Sequence, residues 1–449
     1  MSKFHEAEKL HDNHRLNLPA RIVLVLCLLY CIYLAARQGI AAWYFRQASP
    51  QAIQSAIKWD PQNPEYYDAL ATLTHLYAAG GNSAEVVRLS EKATTLSPYN
   101  AFYWADLGAA YEWSGREDDA LRAFTRAHAL FPNSPEINWK IANFYVRTGK
   151  ISDALRTLKE VLLEDPAKER QVFSLAANAT ADTQEILREM LPPSAPIMLD
   201  YLDFQIETNR MDPAAQTWAT LFELKSPFDP ARALPYLDAL IQHKHLDHLT
   251  EAWAALSARF PQEIAARESK PNLITNGNFA FLPLNGGFDW RVIPVQGATV
   301  TVDPSTSVDA STGIDGSKSL RINFDGTQNL DYAHVLQYVP VTPNTSYKFS
   351  AYMRAQGITT DSGPRFVLQD AYDPATLVDV SSEAANPIRF SISTDNLTGT
   401  SDWSPHQLEF KTTGNTRLLI LKVARPPSHK FDNKLAGTIW IAHVTLLPK

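Results

Sequence analysis

From Ala101 onward, Trp104, Leu107, Gly108, Tyr111, Ala120, Phe124, Ala127 and Pro132 form a pattern that recurs in both directions at a step of 34 residues. One step back stand Leu70, Leu73, Tyr77, Ala93 and Pro98; one step forward stand Ile141, Ala142, Tyr145, Ala154 and Pro166. A fixed step of this length is the mark of a chain built from stacked supersecondary units. The residue types say what the unit is. Small residues at Gly108 and Ala120 let two antiparallel helices come close, and Tyr111 and Phe124 fill the space between them. Pro132 stops the second helix and opens the next pair. No such pair buries its apolar face alone, so neighbours must stack.

All eight positions resemble the tetratricopeptide repeat signature. The pattern continues more weakly at both ends. Ala56 to Pro61 (AIKWDP) reads as the end of an earlier second helix, and Met198–Leu224 and Ala231–Pro261 read as further hairpins. Trp218 and Trp253 take the place of Phe124 there. About five or six hairpins are expected over residues 47–262, with degenerate ones as caps. The resemblance implies that the first helix of each hairpin lines a concave groove for a protein partner. Carried onto this chain, the groove positions are His75, Phe102, Glu112, Trp113, Trp139, Asn143 and Arg147. Tryptophan and arginine are good anchors for a protein segment. Packing between repeats is the competing role for Trp113 and Trp139.

Before the repeats, Ile22 to Ala36 reads IVLVLCLLYCIYLAA, without a charge, and Gly39 to Phe45 resumes the apolar run. Together they give the length a bilayer needs, with Arg37 reaching for a headgroup and Trp43 and Tyr44 at an aromatic belt. Lys3, Lys9, Arg15 and Arg21 precede the span, while Arg37 and Arg46 follow closely. The positive-inside rule then predicts a cytoplasmic tail at 1–21, an inner-membrane span at 22–45, and the bulk of the chain in the periplasm or outside the cell. A cleaved signal peptide is the competing reading. The two cysteines, Cys27 and Cys31, lie in this apolar run, so nothing after them can form a disulfide, a zinc–cysteine cluster or a thiol catalyst. A net charge of −7 with both signs mixed argues against nucleic acid as a partner.

After Pro261 the texture changes to Gly, Asn, Thr and short alternating runs. Residues 263–270 read as a linker. Residues 271–449 read as strands: Ser319–Phe324, Tyr347–Arg354, Arg365–Asp370, Leu408–Thr412, Arg417–Ala424 and Thr438–Leu446. In YKFSAYMR, Tyr347, Phe349, Ala351 and Met353 share one face. The expected fold is multidomain: a transmembrane helix, an all-α solenoid, then an all-β sandwich.

The opening Asn272–Phe279 (NLITNGNF), followed by Phe288-Asp-Trp-Arg291, is similar to the start of carbohydrate-binding modules with a galactose-binding-like jelly-roll fold. Leu336 to Tyr347 and Ile439 to Leu446 resemble that family's later landmarks. The resemblance implies a glycan ligand. Candidates for an aromatic platform with nearby polar groups are Trp290, Arg291, Tyr332, Gln337, Tyr352, Arg354, Arg365, Gln369 and Trp403. For Trp290, Trp403 and Trp440 the competing role is filling the core. Many such modules hold a structural calcium ion. Here Ala280 and Ala442-His443 stand at its places, so no calcium is expected.

No motif for a metalloprotease, a serine hydrolase or a phosphate-binding loop is present. His243, His245 and His248 read as a solvated turn, with a metal site as the alternative. Asp370 and Asp373 are weak candidates for paired carboxylates of glycoside hydrolysis. The sequence therefore predicts a non-catalytic, membrane-anchored scaffold without cofactor or metal. It would bind a protein through its repeats and a glycan or envelope component through its sandwich, in exopolysaccharide or cell-envelope assembly. The alternatives are a glycan-processing enzyme with the sandwich as catalytic domain, and a purely structural docking module.

Overall fold

The computed structural model describes residues 18–77, 82–304, 318–372, 378–379, 391–431 and 433–449. Lys3, Lys9, Arg15 and Asp373, all invoked above, lie outside the described residues. The chain divides into two compact units, Met1–Pro192 and Pro193–Lys449.

The first unit opens with α1 (Leu18–Phe45), a helix long and apolar enough to cross a membrane. It does not stop where the repeats begin. Ala41 is fully buried, and Tyr44 and Phe45 pack into the first helical core beside Ile53, Ala56 and Tyr66. The ring of Phe45 lies 4.8 Å from that of Tyr66. The Arg37 guanidinium donates to the Trp59 carbonyl. The end of the apolar run, expected to lie in a bilayer as far as Phe45, is thus the first helix of a hairpin whose second helix is α2 (Pro50–Trp59). Roughly 23 residues remain before Ala41, about 34 Å of helix, still enough for a hydrocarbon core.

The hairpins that follow pair α3 (Pro64–Tyr77) with α4 (Ser83–Leu96), α5 (Ala101–Trp113) with α6 (Glu117–Leu130), and α7 (Pro135–Arg147) with α8 (Ile151–Glu164). Two short helices close the unit, α9 (Glu169–Ala179) and α10 (Thr183–Glu189). The 34-residue pattern shows its cause in α5 and α6. A methyl group on Gly108 would stand 2.8 Å from the Phe124 ring, so only glycine lets the ring lie flat against the helix. Ala120 and Ala127 are fully buried on either side, and Phe124 reaches Phe144 of the next hairpin at 5.1 Å between rings. Trp104 Nε1 donates to the Pro98 carbonyl at 2.9 Å, and 34 residues later Asn138 Nδ2 donates to the Pro132 carbonyl at 2.7 Å. Each repeat therefore stitches itself to the proline that ends the one before.

The second unit begins with two more hairpins, α11 (Ala195–Glu207) with α12 (Met211–Glu223), and α13 (Leu234–Gln242) with α14 (Leu246–Arg259). One turn geometry recurs between the helices of four hairpins. Gly115, Gly149, Asn209 and Lys244 all have positive φ. Each is followed by an amide that bonds back five residues: Arg116 to Tyr111, Lys150 to Tyr145, Arg210 to Gln205 and His245 to Leu240, at 2.8–2.9 Å. The His243-Lys244-His245 run is this turn in the last hairpin.

The sandwich follows in the same unit. Its strands are β1 (Arg291–Val292), β2 (Ala298–Asp303), β3 (Ser319–Asp325), β4 (Tyr332–Pro340), β5 (Ser346–Ile358), β6 (Arg365–Asp370), β7 (Val378–Asp379), β8 (Ile392–Ser393), β9 (Gly399–Lys411), β10 (Leu418–Arg425) and β11 (Ala436–Pro448). One antiparallel sheet has the order β1-β4-β10-β6-β8, the other β2-β3-β11-β5-β9-β7. Alternation along β5 buries Tyr347, Phe349, Ala351, Met353 and Ala355 between the sheets, with Trp290, Phe366, Leu421 and Ile441. The Arg425 guanidinium, fully buried at the end of β10, donates only to neutral acceptors: the carbonyls of Ser362, Leu330 and Asn433, Asn329 Oδ1 and Thr360 Oγ1.

The motif that carries the sandwich resemblance turns out to be joinery. Phe288 packs on Trp253 of α14, with ring centroids 5.5 Å apart. Asp289 is buried and accepts from Arg267 at 2.8 Å and from the Leu284 and Trp290 amides. Trp290 enters the core against Phe279. Arg291, with its side chain 12% exposed, pairs with Asp238 of α13, which also accepts the Gly287 amide at 3.0 Å. Tyr372 Oη donates to the Ile241 carbonyl at 2.9 Å. The last hairpin and the sandwich thus share a partly buried ion pair, an aromatic contact and the Tyr372 hydrogen bond.

Two substitutions test this packing. Gly108→Ala should cost about 1–3 kcal/mol by overpacking Phe124, read as a lower Tm, and adding Phe124→Leu should recover most of it. Asp238→Ala should cost about 1–3 kcal/mol, because it leaves the Arg291 charge and the Gly287 amide without their acceptor. Urea unfolding of the full chain measures it, and Arg291→Met in the same background should relieve part of the loss.

Candidate functional sites: the repeat groove and the outer sheet faces

The residues expected to line the groove fall into two groups. Near the C-terminal ends of the first helices, the His75 ring meets Trp113 edge-on at 4.4 Å. On the next step, Arg147 grips Glu112 through two bonds of 2.5 and 2.8 Å. Trp113 also packs on the core of the first hairpins, so groove wall and repeat packing are one role here. Phe102 does not join this strip. It lies at the opposite end of α5 against Phe131. Trp139 is half-buried, and Asn143 folds back to donate to the Trp139 carbonyl at 2.8 Å, which uses part of its amide within its own helix.

The groove has polar residues that the periodicity did not single out. Asp106 of α5 accepts from Lys140 of α7 at 2.6 Å, and the two stand one repeat apart. Asp68 of α3 faces Asp106, and its Oδ1 is buried without a hydrogen-bond partner. Between them opens a cavity of about 170 Å³, lined by Asp68, Thr72, His75, Ser90, Asp106 and the small apolar side chains of Ala71, Val86, Ala109 and Ala110. Burial, reinforced by the Asp106 charge, pushes the Asp68 carboxyl up to about 7. A signal for this pair existed in the sequence. Thr72, Asp106 and Lys140 occupy the same place in three successive repeats, at a step of 34.

The sandwich candidates scatter over three places. Trp290, Tyr332 and Gln337 are fully buried and offer a ligand no surface, so the structure corrects their assignment. Trp290 and Tyr332 fill the core, and Gln337 Nε2 donates to the Thr275 carbonyl at 2.8 Å, tying β4 to the opening loop. Arg291, Arg365 and Gln369 lie on the outer face of the five-stranded sheet. There they share a surface with Tyr338, Lys422, Val367 and Ile420, through the registers Tyr338–Ile420–Gln369 and Leu336–Lys422–Val367. The Arg291 guanidinium stacks on Tyr338 at 4.7 Å from the ring centre. Arg365 Nε and Arg291 Nη1 are buried donors without a protein acceptor. Burial lowers the Lys422 ammonium from its ordinary value.

Tyr352 and Arg354 lie on the outer face of the other sheet. Trp440 lies there too, flanked by Arg321 and Arg354 at 5.7 and 5.2 Å and donating to Asp303, rather than in the core. Trp403 is half-buried beside a bulge in β9. At the places where the resemblance would put calcium, Ala280, Ala442 and His443 supply no carboxylate, and the Ala280 carbonyl accepts from the Lys318 ammonium at 3.0 Å. These residues do not fit the ion, which needs several oxygen ligands. Among the described residues no three His, Cys, Asp or Glu side chains converge on a metal-sized site. Asp370 is buried and accepts the Tyr372 amide at 2.8 Å.

Residues 113–179 match the family model for the tetratricopeptide repeat. Superkiller protein 3 of Schizosaccharomyces pombe is 38% identical over 72 residues, 16% of this chain and 5% of that protein. The TPR repeat-containing thioredoxin TTL4 of Arabidopsis thaliana is 33% identical over 78 residues, 17% of this chain and 11% of that protein. The chain therefore spans only a small part of either relative. Among solved structures, a MamA protein aligns over 44% of this chain and 98% of its own, at 15% identity and a TM-score of 0.29. A CBM4 structure aligns over 39% of this chain and 99% of its own, at 17% identity and a TM-score of 0.25.

The Asp68 shift makes a prediction. The folded state holds this proton to higher pH than the unfolded chain, so the site subtracts stability as pH rises from about 4 to about 7. Asp68→Asn should therefore raise the free energy of unfolding by a margin that widens from pH 4 to pH 8, on the order of 1–2 kcal/mol at the alkaline end, read by urea unfolding at each pH. A margin independent of pH would contradict it. Residues 113–179 thus match the tetratricopeptide repeat, and a polar cavity lies among α3, α4 and α5.

Proposed function

We propose that this chain is a non-catalytic scaffold, held in a membrane by α1, that receives a protein segment in its repeat groove. The observation that carries the reading is the strip of His75, Trp113, Glu112 and Arg147 running beside an open cavity. Aromatic edges and a paired arginine on stacked helices form a ready-made surface for an extended or helical segment. The helix α1 supports anchoring over cleavage, because its last turns belong to the first hairpin. With Arg21 on the N-terminal side, the reading places the repeats and sandwich outside the cytoplasm, in the periplasm of a cell with two membranes.

The sandwich, in this reading, binds a glycan on the outer face of the five-stranded sheet. Tyr338 offers a ring backed by Arg291, while Gln369, Arg365 and Lys422 offer hydrogen-bond donors around it. A membrane anchor, a protein-binding groove and a sugar-binding face together suit exopolysaccharide or envelope-polymer assembly. Affinity electrophoresis of the full chain in detergent through gels cast with envelope polysaccharides tests this. Retention should fall about tenfold in Tyr338→Ala/Gln369→Ala and stay unchanged in Tyr352→Ala/Arg354→Ala. Retention lost only in the second variant would move the site to the other sheet, and no retention on any polysaccharide would leave the sandwich a protein-docking module.

A further inference from the structure

The groove cavity has a chemistry that the general reading does not assign. Its walls come from α3, α4 and α5. Two kinds of lining are sorted around it. Ala71, Val86, Ala109 and Ala110 give a narrow apolar sleeve, while Asp68, Asp106, Thr72 and Ser90 supply oxygen acceptors. A cavity of about 150 Å³ holds a benzene ring, so about 170 Å³ has room for a guanidinium or ammonium head with its last methylenes.

The charges around the cavity are not balanced. Asp106 is held by Lys140 at 2.6 Å, and Glu112 by Arg147. Asp68 has no cationic partner within bonding distance, and its Oδ1 is buried and unmatched. The other titratable groups that act on it are Glu65 from its own helix, Asp106 and Tyr103 from α5, and Lys140 from α7; His75 lines the same cavity. Asp68 is a partly buried carboxyl whose side-chain hydrogen-bond partner is another carboxyl, Asp106, so ionising it is costly, and a cationic donor entering from outside removes that cost.

We propose that this cavity is a socket for one lysine or arginine side chain of the protein segment received by the groove, with Asp68 as its counter-ion and the alanine and valine sleeve around its stem. The proposal rests on the groove reading and names the chemistry of the partner. An incoming cation takes the place of the proton that Asp68 otherwise keeps, so binding should strengthen from pH 6 to pH 8.

Selection of phage-displayed random dodecapeptides against the full chain in nanodiscs tests this. Selected peptides should share one basic position. Replacing that arginine by citrulline, or that lysine by acetyl-lysine, should weaken binding at least tenfold, and Asp68→Asn should weaken it similarly while removing the pH dependence. Asp106→Asn, which keeps Asp68, should cost less. Peptides that bind and are lost with Trp113→Ala, yet share no basic position or ignore Asp68→Asn, would overturn the socket and leave the groove reading standing. If no selected peptide responds to Trp113→Ala or Arg147→Ala, both fail. Circular dichroism of each variant at both pH values separates lost binding from lost folding.

Discussion

The helical part of the molecule depends on how closely two helices can approach. Phe124 lies flat on Gly108, and Ala120 and Ala127 leave no gap beside it. That contact sets the spacing within one hairpin. Because Phe124 also reaches Phe144, it passes the spacing to the next. A short turn with one left-handed residue reverses the chain in four of the hairpins. Close approach and short reversal leave first helices side by side within each unit, α5 beside α7 and α11 beside α13. The groove follows from that geometry before any ligand contact is considered.

The same constraint explains the end of the apolar helix. A first hairpin with no neighbour before it would leave Ile53, Ala56 and Tyr66 against water. Ala41, Tyr44 and Phe45 cover them instead. One continuous helix thereby changes character along its length: its first part leaves side chains exposed on every face, and its last turns present one face to a protein core. No linker separates the apolar run from the first hairpin, because Leu18–Phe45 is helical throughout.

Much of this was legible from residue spacing, for definite reasons. Gly115 and Gly149 mark the hairpin turn because glycine suits a positive φ. Asn209 and Lys244 adopt the same backbone without that mark, so the turn is harder to see in the later hairpins. The strand alternation of β5 was visible because one side faces a core and the other does not. The role of Phe288–Arg291 was not visible. Its residues resemble a binding-module signature, yet three of them hold the sandwich to α13 and α14 or to Arg267, contacts made by residues far away in the chain. Aromatic and charged side chains carry the same letters whether they meet a ligand or another part of the fold, and only burial separates the two.

The same distinction locates the ligand surfaces. Where a side chain's polar atoms are all used inside the protein, as with Arg425, it serves the fold. Where they are left over, as with Asp68 Oδ1 in the cavity and Arg365 Nε on the five-stranded sheet, the fold has bought no stability with them. Such leftover groups weaken the free protein, most clearly Asp68, which is held near neutrality by burial and by Asp106. The two surfaces proposed for partners hold polar atoms without a partner, as do the fully buried Trp290, Tyr332 and Gln337, and they differ from these in being open to solvent. They differ in sign, an unmatched carboxylate in one and unmatched guanidinium donors in the other. In the proposed reading the first takes a basic protein segment and the second a ligand rich in oxygen acceptors.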